Sequence, residues 1–233
     1  MCGRFTSTAP ADVLAEAFGL DAVASDYRPS YNLAPTRPVP VVTGGGARRT
    51  LELFQWGLIP SWADRPRPGR LINARAETVA TRRAFRDAFR KRRCLVLADG
   101  FYEWRRDGRR KIPMYIRDRS GRPFAMAGLW DCWMAPDGEL VRTCAIVTTR
   151  PNRDVAPIHD RMPAILPADA HDVWLDHDRF DAEALSALLS PCPDGALEAY
   201  PVSPLVNSPA NDSPRCIERQ EPRGTLPLFP DGV

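Results

Sequence analysis

The residue in the most unusual chemical position is Cys2, directly after the initiator Met1. Aminopeptidases remove a first methionine when the second side chain is small, and cysteine qualifies. The product carries an α-amine and a thiol on adjacent carbons. With a pKa of about 7.7–8.0 the amine is substantially neutral near neutral pH and adds to an aldehyde to give an imine. The thiol then closes on the imine carbon as a five-membered thiazolidine, a step favoured by its intramolecular geometry. An internal cysteine cannot follow this route, because its nitrogen is locked in an amide.

The other cysteines offer nothing comparable. Cys94, Cys132, Cys144, Cys192 and Cys216 include no CxxC pair, which argues against a zinc site of the usual spacing. Cys94-Leu95-Val96-Leu97 and Cys144-Ala145-Ile146-Val147 read as buried strand segments whose thiols stay reduced. His171 and His177, in HDVWLDHD, read as a solvated helix end rather than metal ligands. No metal or cofactor is expected.

These groups need a scaffold, and the chain is long enough to build one. Its 233 residues, 44% hydrophobic and 26% charged, describe a globular protein with a proper core. No run approaches the ~18 apolar residues of a membrane span, and MCGRFTSTAP lacks an apolar export segment. A cytoplasmic, membrane-independent monomer is expected. The net charge of +3 says little about nucleic acid. The cations are nearly all arginine, with Lys91 and Lys111 the only lysines. Coding bias and phosphate recognition both account for that skew.

Pro10 followed by Val13, Leu14, Ala17 and Phe18 predicts a helix ending at Gly19. Tyr27 to Pro40 reads as irregular. Val39–Thr43 and Leu51–Trp56 read as strands around a Gly44-Gly45-Gly46 turn, and Pro60 to Arg70 as a loop. Thr78 to Arg93 reads as one helix with Ala84, Phe85, Ala88 and Phe89 on its apolar face. Short strands follow at Cys94–Ala98, Phe101–Arg105, Met114–Arg117, Phe124–Trp130, Leu140–Thr148 and Met162–Leu166. The dipeptides Asp107-Gly108, Ser120-Gly121 and Asp137-Gly138 punctuate them. Pro167–Leu175 and Phe180–Leu189 read as helices. Closely spaced strands with few crossover helices predict a single α+β domain over 1–212, with a mainly antiparallel, barrel-like sheet flanked by a few helices. The polar, proline-rich segment 213–233 reads as a disordered tail.

Six motifs occur in order: Met1-Cys2-Gly3-Arg4-Phe5, Tyr31-Asn32-Leu33-Ala34-Pro35, Trp56-Gly57-Leu58-Ile59-Pro60-Ser61-Trp62, Asn73-Ala74-Arg75-Ala76-Glu77-Thr78, Asp99-Gly100-Phe101-Tyr102-Glu103-Trp104 and Ile158-His159-Asp160-Arg161-Met162-Pro163. Together, from Met1 to about Asn211, they resemble the SOS response-associated peptidase family, also called abasic-site processing proteins. The resemblance implies that Cys2 cross-links to the ring-opened deoxyribose of an abasic site in single-stranded DNA, shielding the lesion during replication-coupled repair. It implies that Asn73 orients the sugar, that Glu103 is the acid–base carboxylate, and that His159 helps open the ring or reverse the cross-link. Met1 would leave by autoproteolysis or by aminopeptidase action, and DNA damage would draw the protein to the nucleoid.

The same resemblance assigns Arg4, Arg75 and Arg161 to DNA phosphates, with Thr148 and the Pro35 loop nearby. Trp62 resembles the family's exposed aromatic beside the lesion; Ala63 stands where the pattern often has a second aromatic, so the stacking surface is smaller. In the tail, Leu226, Leu228 and Phe229 resemble the Leu-x-Leu-Phe peptides that dock on the replication sliding clamp, without the usual leading glutamine. The alternatives are an N-terminal-nucleophile cysteine amidotransferase, a peptidase using Cys2 and His159, and a single-strand-binding module with no covalent step. The amidotransferase class typically needs an Asn-Gly dipeptide, which this sequence lacks.

Overall fold

Most of the short apolar runs become strands because each can bury at least one face, and several bury both. The computed structural model describes residues 2–44 and 48–221. In chain order its elements are β1 (Phe5–Ser7), α1 (Ala11–Phe18), β2 (Ala22–Val23), β3 (Ser30–Leu33), β4 (Pro38–Thr43), β5 (Thr50–Trp56) and β6 (Asn73–Arg75). Then come α2 (Arg86–Lys91), β7 (Arg93–Ala98), β8 (Gly100–Asp107), β9 (Arg110–Asp118), β10 (Phe124–Met134) and β11 (Leu140–Thr149). The chain continues through β12 (Met162–Pro163), β13 (Ile165–Leu166), α3 (His171–Leu175), α4 (Ala182–Ala187) and β14 (Leu197–Pro201).

Strands β5, β4, β7, β10 and β11 pair antiparallel in that order. Strand β11 then returns to β5 through the parallel pairs Thr143–Gln55 and Cys144–Trp56. The ring therefore closes into a barrel, which leaves those strands without free edges. A second sheet, in the order β14-β9-β8-β1-β3, lies against it. Alternation along the barrel strands divides the core. Val96, Met126, Cys144, Ile146 and Trp56 pack with Cys2, Phe5 and Phe101 of the chain start and the second sheet. Leu95, Leu97, Ala127, Leu129 and Val147 face the other way and are covered by Leu14, Phe18, Phe89, Trp174 and Leu185 of the helices. The expected single α+β domain with a barrel-like, mainly antiparallel sheet is the fold observed.

Several local expectations differ. Thr78–Arg93 is not one helix: Ala76–Thr78 form a 3-10 turn, α2 covers only Arg86–Lys91, and Arg93 opens β7. Arg93 is wholly buried and donates to the carbonyls of Phe89 and Arg90 at the end of α2 and of Trp174 and Asp176 at the end of α3. One guanidinium thus satisfies the exposed carbonyls of two helix ends, which is why the periodic pattern stops short of it. Tyr27–Pro40 contains a strand, β3, because Ser30 and Asn32 turn inward and pair with the 207–212 segment. His171 is buried rather than solvated, with Nε2 3.3 Å from the Leu166 carbonyl.

A tail beginning at Ser213 is too early. Pro214–Cys216 form a 3-10 turn that buries Cys216, and Gln220 N donates to the Pro201 carbonyl at 2.8 Å. Residues 222–233, with Leu226, Leu228 and Phe229, lie outside the described residues. Among the described residues no helix is long and apolar enough to cross a membrane, and no His, Cys, Asp and Glu cluster could hold a metal ion.

Candidate active site

The position of Cys2 follows from how the first strand is held. Phe5 is buried edge-on against Trp56, with ring centroids 5.1 Å apart. The Asp99 carboxylate accepts from the Thr6 hydroxyl, from Thr8 N and Oγ1, and from Ala9 N. Strand β1 is thereby fixed between β3 and β8, with Phe5 opposite Phe101. Tyr102 N donates to the Arg4 carbonyl, and continuing this register sets Gly3 opposite Glu103. Cys2 is left wholly buried at the junction of the barrel and the second sheet.

Asn73 enters from β6, which runs parallel to β11 with Asn73 opposite Ile146. Its Nδ2 donates to the Cys2 carbonyl at 2.8 Å. Its Oδ1 is buried and accepts no hydrogen bond among the described residues. A buried acceptor of this kind is costly unless something donates to it.

Glu103 sits on β8 with 3% of its surface exposed. Burial raises its carboxyl above the ordinary range, and the neighbouring His159 partly offsets that effect. Burial, reinforced by the Glu103 charge, likewise holds the Cys2 thiol well above the usual thiol range. His159 Nε2 lies 3.8 Å from Glu103 Oε2. His159 Nδ1 lies 3.0 Å from Arg161 N, 3.2 Å from the Arg161 carbonyl and 3.0 Å from Asp160 Oδ1, so it is the other nitrogen, Nε2, that faces Glu103. A thiol, an amide, a carboxyl and an imidazole from four separate parts of the chain therefore lie together. The arrangement can hold a small electrophile beside the Cys2 backbone and move protons to and from it.

The other expected contact residues divide. Arg75 is exposed at the end of β6, and Trp62 is 46% exposed with the Arg83 guanidinium 4.3 Å from its ring centre. Pro35 is half-buried in the turn before β4. Arg4, Thr148 and Arg161 instead have protein partners. Arg4 Nη1 donates to Asn32 Oδ1 and to the Val206 carbonyl, both at 2.7 Å. The buried Thr148 hydroxyl is directed at the Ala74 carbonyl, at 3.4 Å. Arg161 forks the Glu77 carboxylate at 2.6 and 3.0 Å and also donates to the Thr148 carbonyl. Sequence reasoning gave no role to Asp99 or Glu77. Both lie inside quoted motifs, but their partners are distant in the chain.

The family model described as SOS response associated peptidase (SRAP) matches residues 1–209. The abasic site processing protein YoqW of Bacillus subtilis is 44% identical over 222 residues, covering 94% of this chain and 99% of that protein. The abasic site processing protein HMCES of Xenopus tropicalis is 34% identical over 229 residues, covering 84% of this chain and 68% of that protein. A crystal structure of a protein from Bacteroides thetaiotaomicron superposes with a TM-score of 0.85 at 30% identity, covering 94% of this chain and 100% of that one.

Proposed function

The chain belongs to the SOS response associated peptidase family, and from that premise we propose that it captures abasic sites in single-stranded DNA as a covalent thiazolidine through Cys2. The names of its relatives support the handling of abasic sites. The observation that carries the covalent reading is the hydrogen bond from Asn73 to the carbonyl of Cys2, with Glu103 and His159 beside it. That bond grips the backbone of the residue whose α-nitrogen is to react.

The chemistry balances without a cofactor. Once Met1 is gone, the Cys2 amine adds to C1′ of the ring-opened sugar, and the carbonyl oxygen takes up a proton as the carbinolamine forms. Glu103, held toward its acid form by burial, protonates that hydroxyl, and one water leaves to give the protonated imine, whose N–H is kept through ring closure. The Cys2 sulfur then bonds to the imine carbon. Its proton passes to the Glu103 carboxylate, and the imine nitrogen ends as the ring amine. His159 Nε2 faces the same carboxyl at 3.8 Å and orients it between the two transfers. Because burial keeps the thiol protonated, the amine leads and the sulfur follows.

The deciding experiment is a denaturing gel of purified protein incubated with single-stranded DNA bearing one abasic site. A shifted band that survives boiling is expected. If wild-type protein lacking Met1 gives none, the covalent reading is wrong. A glutaminase assay addresses the amidotransferase alternative, and no activity is expected.

A further inference from the structure

Residues 150–161, the turn between β11 and β12 that carries His159, include Pro151 and Pro157 and form neither strand nor helix. Their two ends meet in the Thr149–Met162 pair. The interior of the turn is shaped by one buried amide, that of Asn152, which is 6% exposed. Its Oδ1 accepts from Val155 N at 3.1 Å, and its backbone carbonyl accepts from Ala156 N at 2.9 Å. This is the geometry of a helix N-cap, in which a side-chain oxygen takes the N–H three residues on. No helix follows, so here the cap folds a turn. The Val155 carbonyl then accepts from Ile158 N at 2.8 Å and from His159 N at 3.0 Å. Two hydrogen bonds in series thus connect the Asn152 amide to the backbone of His159.

The other end of the same amide faces the approach to the second sheet. Asn152 Nδ2 lies 3.4 Å from the Cys192 carbonyl, 3.3 Å from that of Pro193 and 3.3 Å from Asp154 Oδ2. Asp154 Oδ2 also accepts from Gly195 N at 2.9 Å and from Leu197 N, the first residue of β14, at 3.1 Å. Val155 is wholly buried in the apolar cluster that contains Cys2. The contacts of His159 Nδ1 with Arg161 and Asp160 stay within the turn. They fix the ring against the turn, but not the turn against Glu103, which stands on β8 of the second sheet. Holding the turn against that sheet falls to Asn152, whose amide supplies both the acceptor and the donors that this requires.

We propose that Asn152 is a positioning residue for the trapping reaction: through Val155 it sets the turn that presents His159 to Glu103. The effect on trapping rests on the abasic-site reading above; the coupling of Asn152 to the His159–Glu103 contact does not. The chain has three histidines, so a histidine-labelled sample gives three imidazole Cε1–H resonances, and His159→Gln assigns one of them. In otherwise wild-type protein that resonance should move when Glu103 is changed to glutamine. With Asn152→Ala in place it should no longer respond to the Glu103 change, while the His171 and His177 resonances keep their positions and show that the fold is retained. Asn152→Ser, which keeps a capping oxygen for Val155 N, should restore the response. In single-turnover trapping of an abasic oligonucleotide, Asn152→Ala should lower the rate at saturating DNA roughly tenfold, as expected when a proton-handling group is slightly misplaced. The half-saturating DNA concentration should not change, and the serine variant should recover most of the rate. A His159 resonance that ignores Glu103 in wild type, or still senses it in the alanine variant, would overturn the proposal. So would a serine variant without the response, which decides the matter alone if the alanine variant does not fold. Failure of wild-type protein to trap the abasic site, with the resonances behaving as expected, would remove the covalent reading and leave the positioning of His159 standing.

Discussion

The Asn73 amide donates across 2.8 Å to the Cys2 carbonyl, tying a strand registered on the barrel to the first residues of the second sheet. The bond makes the position of the reacting residue depend on β6 and not only on β1. Replacing Asn73 with alanine removes one neutral hydrogen bond, worth about 1 kcal/mol, so anchoring alone predicts roughly a fivefold slower trapping rate. The buried Oδ1 adds a second expectation, because an acceptor with no partner among the described residues is available to a sugar hydroxyl. If that contact forms, the loss exceeds fivefold and is carried by the rate at saturating DNA. Single-turnover trapping across a DNA titration distinguishes the two, and a rate within twofold of wild type would sink both.

Glu103 gives a pH dependence with a definite sign. Burial raises its folded pKa above the ordinary value of 4.5, so its acid form, which the dehydration step needs, declines as pH rises through the raised value. The rate should therefore fall on the alkaline side and, because the amine must be neutral, also fall on the acid side. Glu103→Gln should slow trapping, leave DNA binding intact and erase the alkaline limb. Stability follows the same linkage. A raised folded pKa means the contribution is complete below the unfolded value and is lost as pH rises through the folded one. Melting curves at pH 4 and pH 8 should show Glu103→Gln gaining on wild type only at the higher pH.

The pair formed by Arg161 and Glu77 behaves oppositely. Arg161 is 14% exposed and Glu77 53%, and the guanidinium holds that carboxyl below its ordinary range. Solvent screening at the Glu77 end limits the loss on Glu77→Gln to about 1 kcal/mol, or roughly 2–4 °C in Tm. A depressed pKa contributes above the unfolded value and is lost as pH falls. Wild type and variant should accordingly converge in acid. A constant difference between pH 7 and pH 3.5 would show that packing, not charge, holds the pair.

The sequence made these residues visible to different degrees, for physical reasons. Strands such as Cys94–Ala98 and Leu140–Thr148 could be read because apolar runs bounded by turn dipeptides are local signals. Ring closure through Thr143–Gln55 could not, since parallel pairing between segments so far apart leaves no local pattern. The helix read over Thr78–Arg93 was too long because Ala84, Phe85, Ala88 and Phe89 keep helical spacing. Which carbonyls Arg93 would cap depends on α3, far along the chain. Cys2 could be read from its position, whereas Asn73, Glu103 and His159 could be read only through their motifs. Their convergence needs β1, β6, β8 and the 158–161 turn to meet. The phosphate role of Arg161 could likewise be read only through its motif, and its Glu77 partner, far along the chain, leaves no local signal.

The amine of Cys2 and its thiol have separable roles. Both are required for the thiazolidine, but only the amine is required for the imine. Cys2→Ala keeps a small second residue, so Met1 is still removed and an α-amine is still presented beside Asn73. That variant should give no boil-stable band on its own. It should give one when cyanoborohydride is present, because the reductant converts the imine to a stable secondary amine. Protein that retains Met1 has its Cys2 nitrogen in an amide and should give no boil-stable band without reductant, although the thiol is intact. Mass spectrometry of the intact chain establishes which form is present in each sample. A boil-stable band from Met1-bearing protein without reductant would assign the bond to sulfur alone. A Cys2→Ala sample that reductant cannot trap would show that the amine does not attack first.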